Sequence, residues 1–394
     1  MKNNRTFLEK LLDGAEVEWK TLDEISSIYG GLTGKGKADF ENGNALYVPY
    51  KNIFNNIEVD FNNLEAVNVS DDERQYTIKY GDVLFTGSSE TAEEAGMSSA
   101  VTTKTEQKIY LNSFSFGLRF NDDVELLPEF SKFLFRTLSI RKEIVKSASG
   151  VTRFNISKAR FKKIKIPIPP LPVQTEIVKI LDTLTVLTRE LTSELTSELT
   201  LRRKQYEYYR EKLLSFDSLE QLNMGGAKKK LIDVCINIFS GKNKERNDSG
   251  LYPIYGSTGI IGKTNKKEFS NEQILVARVG ANAGYVHIAQ GEYDVSDNTL
   301  IIQHNKNIDL KFLYHTLVNM KLNQYAKGAG QPLITAGQLK LMEINVPPLE
   351  EQQRIVSILD KFETLTNSIT EGLPLAIEQS QKRYEYYREL LLSF

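Results

Sequence analysis

Tyr206-Glu207-Tyr208-Tyr209-Arg210-Glu211 occurs twice in this chain, returning 178 residues later as Tyr384-Glu385-Tyr386-Tyr387-Arg388-Glu389. The last four residues, Leu391-Leu392-Ser393-Phe394, likewise repeat Leu213-Leu214-Ser215-Phe216. At the same offset the match runs upstream without a gap. Pro169-Pro170-Leu171 falls on Pro347-Pro348-Leu349, and Ile177-Val178 with Ile180-Leu181-Asp182 falls on Ile355-Val356 with Ile358-Leu359-Asp360. Such a period is much longer than a solenoid repeat, so the duplicated unit is a whole domain plus a helix.

A chain of 394 residues has room for two or three domains. Its 40% apolar and 26% charged content is that of a soluble globular protein. No apolar run approaches the roughly 20 residues of a membrane span, and Phe7-Leu8-Glu9-Lys10-Leu11-Leu12 is too polar for a signal peptide. A single cysteine, Cys235, excludes an internal disulfide and fits a reducing cytoplasm. His287, His304 and His315 have no second ligand at metal spacing, so no metal site is expected. The net charge of −1 is neutral on nucleic acid, but positive charge clusters at Arg153–Lys165 and at Lys228–Lys267.

The fold class is α+β: two similar mixed domains and two long helices. The expected divisions are an N-terminal helix fragment over 1–15, a first domain over 16–168, a long helix over 169–216, a linker over 217–230, a second domain over 231–346 and a second long helix over 347–394. Short strands are predicted at Ile25–Ile28, Leu46–Val48, Val83–Phe85, Phe114–Phe120 and Ile164–Ile168. Pro128–Lys146 reads as one helix with Phe130, Phe133, Leu134, Leu138 and Ile144 on its apolar side. The second domain echoes this plan, with strands at Leu231–Phe239, Ile274–Val279 and Thr299–Ile302, and with Lys311–Leu317 matching the helix at Lys132–Leu138. Gly328–Thr335 stands in the place of Gly150–Ser157.

The first long helix begins after Pro172. Ile177, Ile180, Leu181, Leu184, Leu187, Leu191 and Leu195 recur at three and four residues, an apolar stripe running its length. Tandem tetrads lie inside it: Thr188-Arg189-Glu190-Leu191, Thr192-Ser193-Glu194-Leu195 and Thr196-Ser197-Glu198-Leu199. Some 40 residues give a rod of roughly 60 Å, which reads as a spacer and coiled-coil partner. In the second helix Ile355, Ile358, Leu359, Phe362 and Leu365 take the same role. Pro374 inside its Gly372-Leu373-Pro374 stretch predicts a kink or break. Tyr206, Tyr209, Tyr384 and Tyr387 have two readings, packing between helices or docking of another protein. Glu9-Lys10-Leu11-Leu12 repeats Glu211-Lys212-Leu213-Leu214, which predicts that the N-terminal fragment docks beside the end of the second helix near Phe394, a circular organisation with a pseudo-twofold.

Gly262-Lys263-Thr264 is not a phosphate loop, because the required glycine five positions earlier is Ser257. No catalytic triad or paired-carboxylate site can be assembled, so no catalytic residue is assigned. If the domains bind DNA, loop side chains must do it, lysines on phosphate and Arg or Asn on base edges. The candidates are Lys35, Lys37, Tyr50, Lys51, Asn52, Ser88, Ser89 and Arg153 in the first domain. In the second they are Lys242, Lys244, Tyr255, Ser257, Thr258, Arg278, Asn282, Asn298 and Gln331.

Two variable domains, each followed by a long helix starting at Pro-Pro-Leu, resemble the specificity subunit of type I restriction–modification systems over the whole chain. The most specific marks are Gln353-Arg354-Ile355-Val356-Ser357-Ile358-Leu359-Asp360, the two Tyr-Glu-Tyr-Tyr-Arg motifs and the tetrads, which look like the spacer repeats of the IC subclass. The resemblance implies two target-recognition domains, each reading half of a bipartite asymmetric site in double-stranded DNA. It implies that the helices pair antiparallel, set the spacer and dock two methyltransferase subunits, with motor and nuclease subunits joining the complex. S-adenosylmethionine, ATP and Mg would then belong to the partners, and this chain would hold no cofactor. The competing expectation is a coiled-coil scaffold or adaptor without sequence-specific DNA binding.

Overall fold

The computed structural model describes residues 7–41, 43–215, 227–244, 249–328, 330–368 and 371–394. The chain divides into two units, Met1–Thr192 with Gln379–Phe394, and Ser193–Glu378.

In the first unit α1 (Phe7–Leu12) precedes β1 (Glu18–Thr21), α2 (Leu22–Ile25), β2 (Ser26–Gly30), β3 (Ala45–Val48), α3 (Tyr50–Asn55) and β4 (Glu65–Val67). Then come β5 (Val83–Thr86), β6 (Ser88–Ser89), β7 (Ser98–Ala100), β8 (Ile109–Leu111), β9 (Ser115–Phe120), α4 (Pro128–Leu134) and α5 (Leu138–Ser147). β10 (Ala148–Ser149), β11 (Phe154–Ile156), α6 (Lys158–Phe161) and β12 (Lys165–Ile168) lead to the long helix α7 (Leu171–Leu214). The strands form sheets in the orders β2-β9-β5-β7, β4-β3-β8, β10-β11-β6 and β1-β12. Phe85 packs edge-on to Phe135 and Phe161 and stacks on Phe116 at centroid distances of 5.3, 4.9 and 5.3 Å, so one aromatic cluster seals the main sheet against the helices.

Three sequence expectations shift here. Ile25 ends α2 instead of starting a strand, because Thr21 and Glu24 form a reciprocal capping box that nucleates a helical turn. The helix expected over Pro128–Lys146 is two helices: Thr137 caps a new start at Leu138, whose side chain is exposed instead of facing the core. Phe114 lies outside β9, because Asn112 Oδ1 accepts from the Phe114 N–H and the Ser115 hydroxyl and holds a turn there.

In the second unit β13 (Ala227–Lys230), β14 (Cys235–Ser240), β15 (Tyr252–Gly256), β16 (Gly259–Thr264), β17 (Gln273–Ala277), β18 (Val286–Ala289), β19 (Asp294–Val295) and β20 (Thr299–His304) come first. α8 (Leu310–Asn319), α9 (Ala336–Leu341), β21 (Glu343–Val346), α10 (Leu349–Asn367) and α11 (Leu373–Leu391) follow. The expected strand Leu231–Phe239 begins as a 3-10 turn over Leu231–Val234 and becomes β14 only at Cys235. The last four residues of the expected linker are β13, which pairs antiparallel with β21; residues 217–226 of that linker lie outside the described residues.

The sheets of this unit run β14-β20-β17-β18, β16-β15-β19 and β13-β21. Each has a counterpart of the same order in the first unit. Antiparallel and parallel pairings match too: β3 is antiparallel to β4 and parallel to β8, as β15 is to β16 and β19. Duplication that the sequence shows residue by residue from Pro169 onward, and as a shared plan before it, therefore extends through both mixed domains in strand order and pairing.

The helices obey the repeat with local departures. α7 is continuous for 44 residues and starts at Leu171, with Pro172 in its first turn where no backbone bond is lost. In the first unit Ile177 and Leu181 share a core with Leu391 and Leu392, and the Thr185 hydroxyl lies 3.1 Å from the Tyr384 hydroxyl. In the second, Tyr206 and Tyr209 pack on Phe362 at 6.4 and 5.6 Å. Within the first unit, later residues of α7 thus meet earlier residues of the C-terminal helix, the antiparallel order. The expected break is present: α10 ends at Asn367, Gly372 takes φ +86°, and Pro374 falls in the first turn of α11. A Cβ on Gly372 would stand 2.7 Å from the Thr364 carbonyl, so the left-handed turn requires glycine. The N-terminal fragment also sits as expected, since Leu8, Leu11 and Leu12 join the core that holds Leu391, Leu392 and Phe394.

Candidate nucleic-acid interface

Within each unit separately, the loops are joined by the same backbone junction. In the first unit the Gly87 N–H donates to the Phe114 carbonyl at 2.7 Å, and the Ile156 N–H donates to the Gly87 carbonyl at 3.0 Å. In the second, the Arg278 N–H donates to the Asn298 carbonyl at 2.9 Å, and the Ile334 N–H donates to the Arg278 carbonyl at 2.8 Å. The same bonds tie together the loop after β5 or β17, the turn before β9 or β20, and a hairpin arm. That hairpin is set by glycine in both units: Gly150 at φ +150° and Gly328 at φ +116°.

Around the first junction, Tyr50, Lys51, Ser88, Ser89 and Arg153 line one open cleft of about 380 Å³ together with Phe54, Glu90, Glu94 and Phe114. Five of the eight expected residues therefore converge. The Tyr50 hydroxyl donates to the Ser88 carbonyl at 2.8 Å and its ring stacks on Phe54 at 6.0 Å. Ser89 donates to Glu94 at 3.2 Å. Phe114, 63% exposed, was missed because its spacing from Phe116 continues the alternation of a strand, and the turn that expels it depends on Asn112.

The other first-unit candidates differ. Asn52 is buried, its amide donating to the Asp60 and Asn63 carbonyls while its oxygen accepts from the Asp60 N–H, so it is a loop clasp and not a reader. The Lys35 side chain is only 6% exposed and is paired with Glu73, whose carboxyl that contact holds down at about 2. Lys37 is exposed at the start of the 3-10 turn Lys37–Phe40.

In the second unit Arg278, Asn298 and Ser257 meet at the junction, with the Ser257 hydroxyl 3.4 Å from the Asn298 carbonyl and Arg278 reaching the Ser240 hydroxyl at 3.4 Å. Thr258 is exposed beside Ser257, and Gln331 is exposed on the hairpin whose next residue, Pro332, accepts from the Gly280 N–H at 3.0 Å. Lys242 and Lys244 line a separate cavity of about 560 Å³ with Lys266, Glu268 and Asp294. Asn282 lies in another groove, with Tyr285 and Tyr314. Tyr255 is structural: its ring stacks on His287 at 6.0 Å and meets Tyr293 edge-on at 5.3 Å.

The helix candidates divide by burial. Ile177, Leu181, Ile355 and Leu359 are fully buried, Tyr206 nearly so, and Ile180, Leu184, Leu195, Ile358, Phe362, Leu365 and Tyr384 partly. Leu187 and Leu191 instead point to solvent, 55% and 43% exposed. Leu187 precedes the tetrads; within them a four-residue repeat overruns the helical turn by about 40° per step, so the leucines drift round the axis, Leu191 exposed and Leu195 half-buried. Tyr209 and Tyr387 are exposed, each edge-on to its neighbour, Tyr208 or Tyr386.

At the second unit's helix crossing, histidine neighbours that sequence spacing does not show come together in space. His315 lies with Asp360 and Glu363, their ligand atoms within 4.8 Å of one another, because α8 packs on α10 and brings together residues distant in sequence. Asp360 is already paired with Lys311 and with His315 Nε2, and His315 Nδ1 lies 3.4 Å from the Tyr206 hydroxyl. This is the bonding of a helix crossing. Burial lowers the His315 pKa against the opposing pull of Asp360.

A duplicated domain whose loop junction keeps its backbone while its side chains change is the build of a specificity protein. The family model for the type I restriction modification DNA specificity domain matches residues 15–201 and again 226–379, and the chain belongs to that family. It is 41% identical over 418 residues to a putative type I restriction enzyme specificity subunit of Haemophilus influenzae, covering 100% of both chains. It is 31% identical to the EcoprrI specificity subunit of Escherichia coli, covering 93% of this chain and 92% of that one. The EcoR124I/EcoR124II specificity subunit of Escherichia coli is likewise 31% identical, with 99% and 97% covered. Among solved structures, the HsdS subunit from Thermoanaerobacter tengcongensis superposes with a TM-score of 0.62 at 17% identity over 96% of each chain. A chain from a type I R-M system superposes with a TM-score of 0.72 at 18% identity over 96% of this chain and 98% of that one. These two show the shared fold. No described helix is long and apolar enough to cross a membrane.

Proposed function

We propose that each unit reads one half of a bipartite, asymmetric sequence in double-stranded DNA, and that this chain supplies specificity without catalysing a reaction. What supports the reading is the junction present in both units with different side chains upon it, Phe114 and Arg153 against Asn298 and Gln331. Exposed Lys51, Lys37, Lys242 and Lys244 anchor phosphates, a term that carries affinity and little sequence information. The long helices set the distance between half-sites and dock two methyltransferase subunits in the cytoplasm, with motor and nuclease subunits joining the assembly. S-adenosylmethionine, ATP and Mg are held by those partners. Gel shifts with and without the methyltransferase subunit test this. Weak or non-specific binding by the chain alone and sequence-specific binding by the complex are expected. Cleavage or methylation by the isolated chain would overturn the reading, and a complex indifferent to sequence would leave the coiled-coil scaffold as the better account.

A further inference from the structure

Resting on that reading, we infer that the hairpin position three residues past the hairpin glycine, Gly150 or Gly328, reads a base in each half-site, Arg153 selecting guanine and Gln331 selecting adenine. The two positions are equivalent by backbone geometry and not only by alignment. Ser149 pairs with Asn155 across the first hairpin, and Lys327 bridges Leu333 across the second, at the same offset. A Cβ on Gly150 would stand 1.9 Å from the Arg153 carbonyl, and one on Gly328 would stand 2.8 Å from the Gln331 carbonyl, so glycine is what lets each hairpin turn back over its reader. Whatever stands at the one position meets its half-site as its counterpart meets the other.

The side chains available there have distinct chemistry. Both are exposed, and among the described residues neither Arg153 nor Gln331 is held in an ion pair or a side-chain hydrogen bond. An arginine fork matches guanine O6 and N7, whereas a glutamine amide matches the N6 donor and N7 acceptor of adenine. The flanking residue changes in step. Phe114, in the cleft that Arg153 lines, offers an apolar face suited to a thymine methyl, while Asn298 offers an amide at the equivalent place. Lys51, also in that cleft, is a point charge suited to phosphate.

The test is reciprocal substitution in the full chain, co-expressed with the methyltransferase subunit of its own system, followed by methylome sequencing and competition binding with oligonucleotides varied at one base. Arg153→Gln is expected to convert one guanine of the first half-site to adenine, with discrimination changing about 5- to 160-fold, and to leave the second half-site as it was. Gln331→Arg is expected to do the converse. Phe114→Ala should relax a thymine beside the guanine. The unaltered half-site in each molecule reports that the variant folds. A wild-type motif lacking guanine in the first half or adenine in the second overturns the inference. So does an Arg153→Gln complex that loses affinity equally for every sequence, the signature of a phosphate contact. A wild-type complex that methylates no bipartite site would instead overturn the functional reading itself.

Discussion

Gln174 and Gln352 are the residues on which each long helix is hung. Both are buried near the helix start. Gln174 accepts from the Leu127 N–H at 2.9 Å and donates to the Glu125 and Pro169 carbonyls at 2.8 and 2.7 Å. Gln352 accepts from the Asp309 N–H at 2.7 Å and donates to the Pro347 carbonyl at 2.8 Å. One side-chain amide thus joins helix, preceding strand end and domain helix in each unit. Replacing Gln174 with Leu keeps the volume but leaves a backbone donor and two carbonyls without partners. The expected loss is about 1–3 kcal/mol, read as an earlier denaturant midpoint for the first unit alone. An unchanged midpoint would show that water fills the gap. At this scale the sequence was informative about residue type and weak about role: Pro-Pro-Leu marked the helix start, yet nothing local showed that the glutamine was a clasp. Asn52 and Lys35 mislead for the same reason, since polar loop residues look alike until their partners are known.

At the scale of elements, the tetrad array is the informative stretch. α7 passes through it without interruption, while the buried stripe is left at Leu187, just before the tetrads, and at Leu191 within the first. Each tetrad adds about 6 Å of rise and about 40° of rotation. Deleting Thr192–Leu195 is therefore expected to shorten the unread spacer of the DNA site and leave both half-sites unchanged, measured by methylome sequencing. A spacer of unaltered length would remove the helix from its proposed role as a ruler. The proline rule worked well for the second helix, because the penalty for proline inside a helix is large enough to decide the matter locally. Strand limits were less secure. Capping at Thr21 and Thr137 and the turn at Asn112 each moved a boundary that apolar alternation alone had placed elsewhere.

For the whole molecule, ionisation is distributed unevenly. All three histidines lie in the second unit, and burial lowers the pKa of each, to about 4 for His287. Asp309 opposes the shift at His304, and Asp360 and Glu363 oppose it at His315. An unfolded chain takes up these protons near pH 6.5 and the folded unit only at lower pH; for His287 stability therefore falls as pH drops from about 6.5 toward about 4, by up to about 1.4 kcal/mol per pH unit, and His304 and His315 act in the same direction. Hydrogen exchange at pH 5 against pH 7.5 is expected to quicken in the second unit before the first, and His287→Phe to reduce the difference. Equal quickening in both units would count against burial of the neutral imidazoles as its cause.

Read by itself, the sequence determined the duplication, the long helices, the break at Pro374 and the family, because periodicity, proline and an internal repeat act through local or one-dimensional rules. Tertiary structure alone decided how far the shared plan of the two mixed domains goes, since their strands match in order and pairing where little of their sequence does. It also decided which polar loop residues are consumed by the fold and which face outward at the junction. Backbone hydrogen bonds between distant loops fix that junction, so side chains there are free to differ, and no local pattern records where such bonds will close.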